Sequence, residues 1–156
     1  MEFRVLKYFL ETAREGSITR AAERLNVTQP TMSKQLKDLE TELGQKLFIR
    51  TNYSIRLTEG GMLLKDRAED IIELVEKTKE EFKSLNDVYK GDIYIGSAES
   101  DSIKYFARAI KSLQEKYPEI KIHIRSGNIN DVTQRLDKGL LDFAIIMKTA
   151  DLSKYN

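Results

Sequence analysis

The stretch "SITRAAERLNVTQPTMSKQLKDLE", from Ser17 to Glu40, holds two blocks of helical periodicity with almost no chain between them. Ala21, Ala22 and Leu25 recur at helical spacing, Asn26 and Val27 interrupt, and Thr28 opens a second block carrying Met32, Leu36 and Leu39. Such spacing specifies a helix, a tight turn and a second helix. The first block exposes little that could do chemistry. The second begins with a dense polar cluster, Thr28, Gln29, Thr31, Ser33 and Lys34.

The flanking sequence completes a trihelical core. A first helix is predicted from Glu2 to Glu15, with Phe3, Leu6, Phe9, Leu10 and Ala13 as its apolar stripe and Gly16 ending it. Ser17 is placed to cap the second helix, which runs to about Leu25. Thr28 is placed to cap the third, with Pro30 in the first turn, where a missing N–H matters least. Gly44 stops that helix after Leu43. Two short strands follow, Leu47 to Arg50 and Ile55 to Thr58, joined by a polar turn at Thr51 to Ser54. A hairpin after three helices is a wing.

From Glu59 to about Asn86 the pattern is one long helix. Leu64, Ala68, Ile71, Val75, Thr78, Phe82 and Leu85 alternate spacings of four and three residues, the seam of a coiled coil, and are predicted to pair with a second copy. After Lys90-Gly91 the period changes to strand, helix, strand, helix, strand. Ile93 and Ile95 share a face of "DIYIGS", a helix runs from about Ser102 to Lys116, and Ile120, Ile122 and Ile124 alternate in "EIKIHIRS". A helix from Asn130 to Lys138 precedes "LLDFAIIM", read as an apolar strand buried on both faces. Right-handed crossovers then give a parallel three-stranded sheet. The expected fold class is multidomain α and α/β: a winged helix-turn-helix over 1–58, a linker helix over 59–90, and a partial α/β lobe over 91–156.

Charge points to the first of these segments as the phosphate-facing one. The net charge is only +1, yet residues 1–58 hold 10 Lys+Arg against 7 Asp+Glu, and residues 59–90 hold 6 against 9. The front of the third helix carries suitable chemistry. Gln29 can bond bidentately to adenine, Lys34 can address guanine O6 and N7, and Pro30 or Thr31 can pack on a thymine methyl. Thr28 and Ser33 are short donors for phosphate oxygens, or a helix cap and a solvated face.

The segment "FLETAREGSITRAAERLNVTQPTMSKQLKDLETELGQKLFIRTNYSIRLTEGG" closely resembles the N-terminal signature of LysR-type transcriptional regulators, with the spacing of GS, AA, QP, LE, LG and LF-x-R kept. The resemblance implies that the helix opening at Thr28 is a recognition helix, with Gln29, Pro30, Thr31, Ser33 and Lys34 on base or backbone. It further implies a wing whose Arg50, Asn52, Tyr53 and Arg56 lie against the minor groove or flanking phosphate. Lys34 stands where the family often has arginine, so a point charge replaces a bidentate fork. The wing tip "TNYS" has no basic residue.

The later segments follow the family's order. The heptad helix resembles its dimerising linker helix, and residues from Gly91 resemble the start of an effector-binding domain of the periplasmic-binding-protein type, with the chain ending inside the first lobe. Candidate effector contacts are Ser100 and Ser102 at a helix N-terminus and Ser126 and Asn128 after the second strand. The implied partners are double-stranded DNA, a second copy and a small-molecule effector of unknown identity, with no metal and no cofactor.

Other function classes find less in the sequence. "GDIYIGSAESDS" matches neither a dinucleotide fingerprint nor a phosphate-binding loop, and without cysteine there is no thiol nucleophile. The single histidine, His123, alternates outward with Lys121 and Arg125, so no catalytic constellation assembles around it. An interaction module that keeps the linker helix and forms inactive mixed dimers remains an alternative. No apolar run approaches the roughly 18 residues of a membrane span, the N-terminus lacks a signal-peptide plan, and a cytoplasmic location is expected.

Overall fold

The first helix, α1 (Phe3–Glu15), owes its position to a wider apolar stripe than Phe3, Leu6, Phe9, Leu10 and Ala13 alone. Val5, Leu6, Tyr8, Phe9 and Thr12 are its buried residues, while Leu10 and Ala13 pack against the edge of the core. Gly16 closes it in the left-handed conformation and donates its N–H to the Thr12 carbonyl. In this computed structural model the described residues are 1–50, 55–85, 89–98 and 103–146. Asn52, Tyr53, Ser100, Ser102 and Met147 therefore lie outside the described residues.

The chain divides into two compact units, Met1–Glu73 and Leu74–Asn156. In the first, α2 (Ile18–Arg24) is capped by Ser17, whose side chain accepts from the Arg20 N–H at 3.4 Å. Asn26 takes a positive φ of 53° in the turn, a conformation that asparagine tolerates. Then α3 (Gln29–Leu43) starts with Thr28 as cap and ends at Gly44. The wing is an antiparallel pair, β1 (Phe48–Arg50) and β2 (Ile55–Leu57), in register Ile49 to Arg56.

The long helix α4 (Glu59–Ser84) begins where Thr58 accepts the Gly61 N–H at 2.9 Å and donates to the Lys46 carbonyl at 2.6 Å. One expectation is corrected here. Leu64 and Ala68, read as the start of an intermolecular seam, are buried in the core of their own chain with Phe9, Met32, Leu36 and Phe48. The first turns of α4 complete the trihelical core, so those two residues are not available to a partner. Farther along, Ile71, Leu74, Phe82 and Leu85 are exposed.

In the second unit β3 (Gly91–Ala98), α5 (Ile103–Lys116), β4 (Ile120–Gly127), α6 (Ile129–Asp137) and β5 (Phe143–Ile145) follow in turn. The sheet is parallel, in the order β4-β3-β5. Gly96 lets the layer above it close in: a Cβ there would sit 2.6 Å from side-chain carbons of both Val132 and Leu141. Val132, Leu140 and Leu141 are buried together with Ile95 and Ala98.

Two strand expectations change. "LLDFAIIM" is not one long buried strand: Leu140 and Leu141 are buried ahead of it, β5 begins only at Phe143, and Phe143 is 62 % exposed. Asp142 sets that boundary, because its N–H donates to the Tyr94 carbonyl at 2.7 Å and its carboxylate accepts from the Tyr94 N–H at 2.8 Å. The same carboxylate binds Lys77 of α4 at 2.7 Å, which also reaches the Gly139 carbonyl at 3.0 Å and is itself buried. On β4 the isoleucines share one face by alternation but are not equally covered: Ile120 and Ile122 are half-buried, whereas Ile124 is exposed. His123 is exposed as expected, but not idle: it bonds Asp92 and stacks on Tyr94 at 4.5 Å.

Candidate nucleic-acid interface

Helix α3 has two faces with different tasks. Met32, Leu36 and Leu39 are at most 2 % exposed and fasten it to α1 and α2. Thr28, Gln29, Pro30, Thr31 and Lys34 are exposed at its N-terminal end, and Ser33 is half-buried. Thr12 of α1 donates to the Met32 sulfur at 3.5 Å, so even the polar atom beneath the helix is engaged.

Thr28 is the cap that the sequence suggests. Its hydroxyl oxygen accepts the Thr31 N–H at 3.4 Å and lies 2.8 Å from the Thr31 hydroxyl. That pair of hydroxyls sits at the N-terminal end of the helix, where the positive end of the helix dipole favours an approaching phosphate. Gln29, Pro30, Thr31 and Lys34 share this end, so the structure brings together the helix residues singled out in the sequence. Of the wing residues, Arg56 is exposed on β2 and Arg50 ends β1.

Holding α1 and α2 together, Arg24 binds Glu11 at 3.1 Å and Glu15 at 2.8 Å, while Arg14 binds Glu11 at 3.0 Å. Both glutamates are largely covered, which leaves these pairs less screened than open surface pairs. The wing is tied to the core by the Ile55 N–H, which donates to the Gly16 carbonyl at 3.2 Å.

Sequence reasoning passed over Glu40. It stands four residues after Leu36 and one after Leu39, on the buried face of α3, and is 6 % exposed. Its Oε1 accepts the N–H groups of Leu47 at 2.9 Å and Phe48 at 3.3 Å, and its Oε2 binds Lys46 at 3.0 Å. Burial opposes ionisation, but the Leu47 N–H, the Lys46 ammonium and the Phe48 N–H outweigh it and hold the carboxyl below the ordinary glutamate value. The ionised form therefore stabilises the fold above the ordinary glutamate range, and that contribution is lost as pH falls through the depressed folded value.

Replacing Glu40 with Gln is expected to cost about 1.5–3 kcal/mol at neutral pH, the worth of hydrogen bonds to a charged group. The gap between variant and parent should narrow in acid. Denaturant melts at pH 7 and in the acid range check both statements, and a gap independent of pH would contradict them.

The effector candidates fare differently. Ser126 is exposed on β4, and Asn128 is the N-cap of α6, its side chain accepting the Asp131 N–H at 3.0 Å. Asn128 is thus committed to a cap through its oxygen. Among the described residues no cluster of histidine, cysteine or carboxylates could hold a metal ion.

Three helices locked by a shared core, a solvent-facing N-terminal end on the third and a two-stranded wing define the class of winged helix-turn-helix proteins. The family described as "Bacterial regulatory helix-turn-helix protein, lysR family" matches residues 3–62, and "LysR substrate binding domain" matches residues 86–156. The chain is 36 % identical over 145 residues to the HTH-type transcriptional regulator YtlI of Bacillus subtilis, covering 93 % of this chain and 47 % of that one. It is 35 % identical over 144 residues to the HTH-type transcriptional regulator BudR of Klebsiella aerogenes, covering 91 % of this chain and 100 % of that one. The crystal structure of full-length CbnR complexed with its target DNA is similar with a TM-score of 0.79 and 25 % identity, over 90 % of this chain and 48 % of CbnR. This chain belongs to the lysR family of bacterial regulatory helix-turn-helix proteins. It spans about half the length of YtlI and of the probable RuBisCO transcriptional regulator of Emiliania huxleyi, a further relative.

Proposed function

We propose that this protein is a transcriptional regulator that reads duplex DNA with the exposed front of α3 and steadies itself with the wing. The observation that carries this reading is the division of α3 into a locked apolar side and a free polar end bearing Thr28, Gln29, Pro30, Thr31 and Lys34. CbnR, a similar protein, has been crystallised with its target DNA, which supports the reading. Residues 1–58 act as the DNA-binding part, 59–90 as a linker and dimerisation helix, and 91–156 as part of an effector-binding domain. The exposed Ile71, Leu74 and Phe82 of α4, with Leu85 just after it, favour a second copy as its partner. Relatives named as transcriptional regulators support a regulator rather than a catalyst.

The substrate-binding description of residues 86–156 supports a small-molecule effector. Ser126 and Asn128 are assigned as effector contacts, supported by their position at the carboxyl end of β4, the side of an α/β sheet on which ligands usually bind. No described helix is long and apolar enough to cross a membrane, and the work of a DNA-reading regulator belongs in the cytoplasm.

Replacing Gln29 with Ala tests the assignment of α3. The expected loss is about 1–3 kcal/mol on a selected duplex and much less on random DNA, because an amide that reads a base contributes only where that base is present. Titration of both duplexes at one salt concentration gives the answer. Equal losses on the two would reduce Gln29 to a backbone contact.

A further inference from the structure

Four residues, Gly44 to Leu47, join α3 to the wing, and Glu40 holds them from both ends of its own structure. Its backbone carbonyl accepts the Gln45 N–H at 3.1 Å, and its carboxylate takes the Leu47 and Phe48 N–H groups and the Lys46 ammonium. The next links run from the same short segment. The Lys46 carbonyl accepts the Thr58 hydroxyl at 2.6 Å, and the Leu47 carbonyl accepts the Thr58 N–H at 3.0 Å. Phe48, held by Glu40, packs its ring on Phe9 at 5.2 Å. The start of β1, the end of β2 and the cap of α4 thus hang from one buried carboxylate on the recognition helix.

An apolar side chain at position 40 would bury as well in a core containing Leu36 and Leu39, yet it could not accept the Leu47 and Phe48 N–H groups. A carboxylate can, and its second oxygen stays free for lysine. The geometry points to Glu40 as a positioning residue for DNA reading: it sets the offset between the exposed end of α3 and the wing that carries Arg56, so that both meet the duplex at one spacing. This role rests on the DNA-reading function proposed above. It goes beyond packing, because the spacing of two contact elements determines whether they engage together.

The test uses the full chain on a selected duplex across a salt series, with Glu40→Ala, Glu40→Gln, Arg56→Ala and the Glu40→Ala, Arg56→Ala pair. Losing one phosphate contact lowers the slope of log affinity against log salt by about 0.9. Arg56→Ala should do this directly. Glu40→Ala should flatten the slope as much or more at a temperature where circular dichroism shows it folded, and adding Arg56→Ala should flatten it no further. The penalty for changing a base under Gln29 should persist in both. Glu40→Gln, which keeps one acceptor oxygen, should fall between Glu40→Ala and the parent, and it carries the test if Glu40→Ala does not fold. An unchanged slope in the folded glutamate variants, with only a lower melting temperature, would overturn the positioning role. Failure of the parent protein to prefer any duplex would instead overturn the functional reading beneath it.

Discussion

Gly61→Ala is expected to destabilise the N-terminal unit by about 3 kcal/mol, the upper end of what overpacking costs. Helix propensity alone predicts the opposite, since alanine is better than glycine inside a helix by about 1 kcal/mol. Packing wins because a Cβ on Gly61 would lie 2.2 Å from the Leu47 carbonyl oxygen and 3.0 Å from Leu57 Cδ2. That carbonyl cannot swing aside without releasing the Thr58 N–H that it accepts at 3.0 Å. Gly60 provides the control one residue away: its Cβ would meet nothing closer than 3.7 Å, so Gly60→Ala should be neutral or slightly stabilising. Thermal or denaturant unfolding of the two variants side by side decides it. Equal effects would show that α4 does not approach the Leu47 carbonyl so closely.

The second large effect concerns assembly. Ile71→Glu combined with Phe82→Glu should give monomers and weaken operator binding by roughly 10²–10⁴-fold, the usual gain from linking two binding modules. Phe82 is 70 % exposed, so its replacement acts mainly on what α4 meets outside its own chain, while Ile71 is 36 % exposed. A charge on a helix face that must leave water opposes association. By contrast, Leu64→Glu should unfold the N-terminal unit, because Leu64 belongs to the core. Sedimentation with parallel DNA titration separates these outcomes. A double variant that remains dimeric would move the interface away from α4.

The sequence revealed most where the determining signals were local. Helix caps at Ser17 and Thr28, stops at Gly16 and Gly44, and the 3.6-residue spacing of Met32, Leu36 and Leu39 depend on neighbours a few residues away, and they located α1 to α3 closely. The parallel sheet followed from the strand and helix alternation. Errors arose where one pattern served two purposes. The heptad of α4 is continuous in the sequence, but its first part covers the chain's own core, and spacing alone does not reveal which partner a face will meet. Likewise, "LLDFAIIM" is apolar throughout, yet Asp142 fixes where pairing starts through its bonds to Tyr94 and Lys77.

Polar residues in buried places were hardest to read. Glu40 and Lys77 look like members of a solvated helical face, although Glu40 follows Leu36 by four residues on the core side. Their partners, the backbone of Leu47 and Phe48 and the Asp142 carboxylate, come from the fold and not from adjacent sequence. Gln29, Thr31 and Lys34, by comparison, were visible because a polar front on an otherwise packed helix stands out against its apolar period.

The most direct test of the central claim is to pass fragmented genomic DNA over the purified protein at moderate salt and sequence what remains bound, for the parent chain and for a variant carrying Gln29→Ala with Lys34→Ala. The DNA-reading account predicts that the parent enriches a small set of fragments sharing one motif and that the variant, still folded, loses that enrichment while keeping weak, sequence-independent binding. Retention by the parent of DNA with no shared motif, or identical enrichment by the variant, would contradict it.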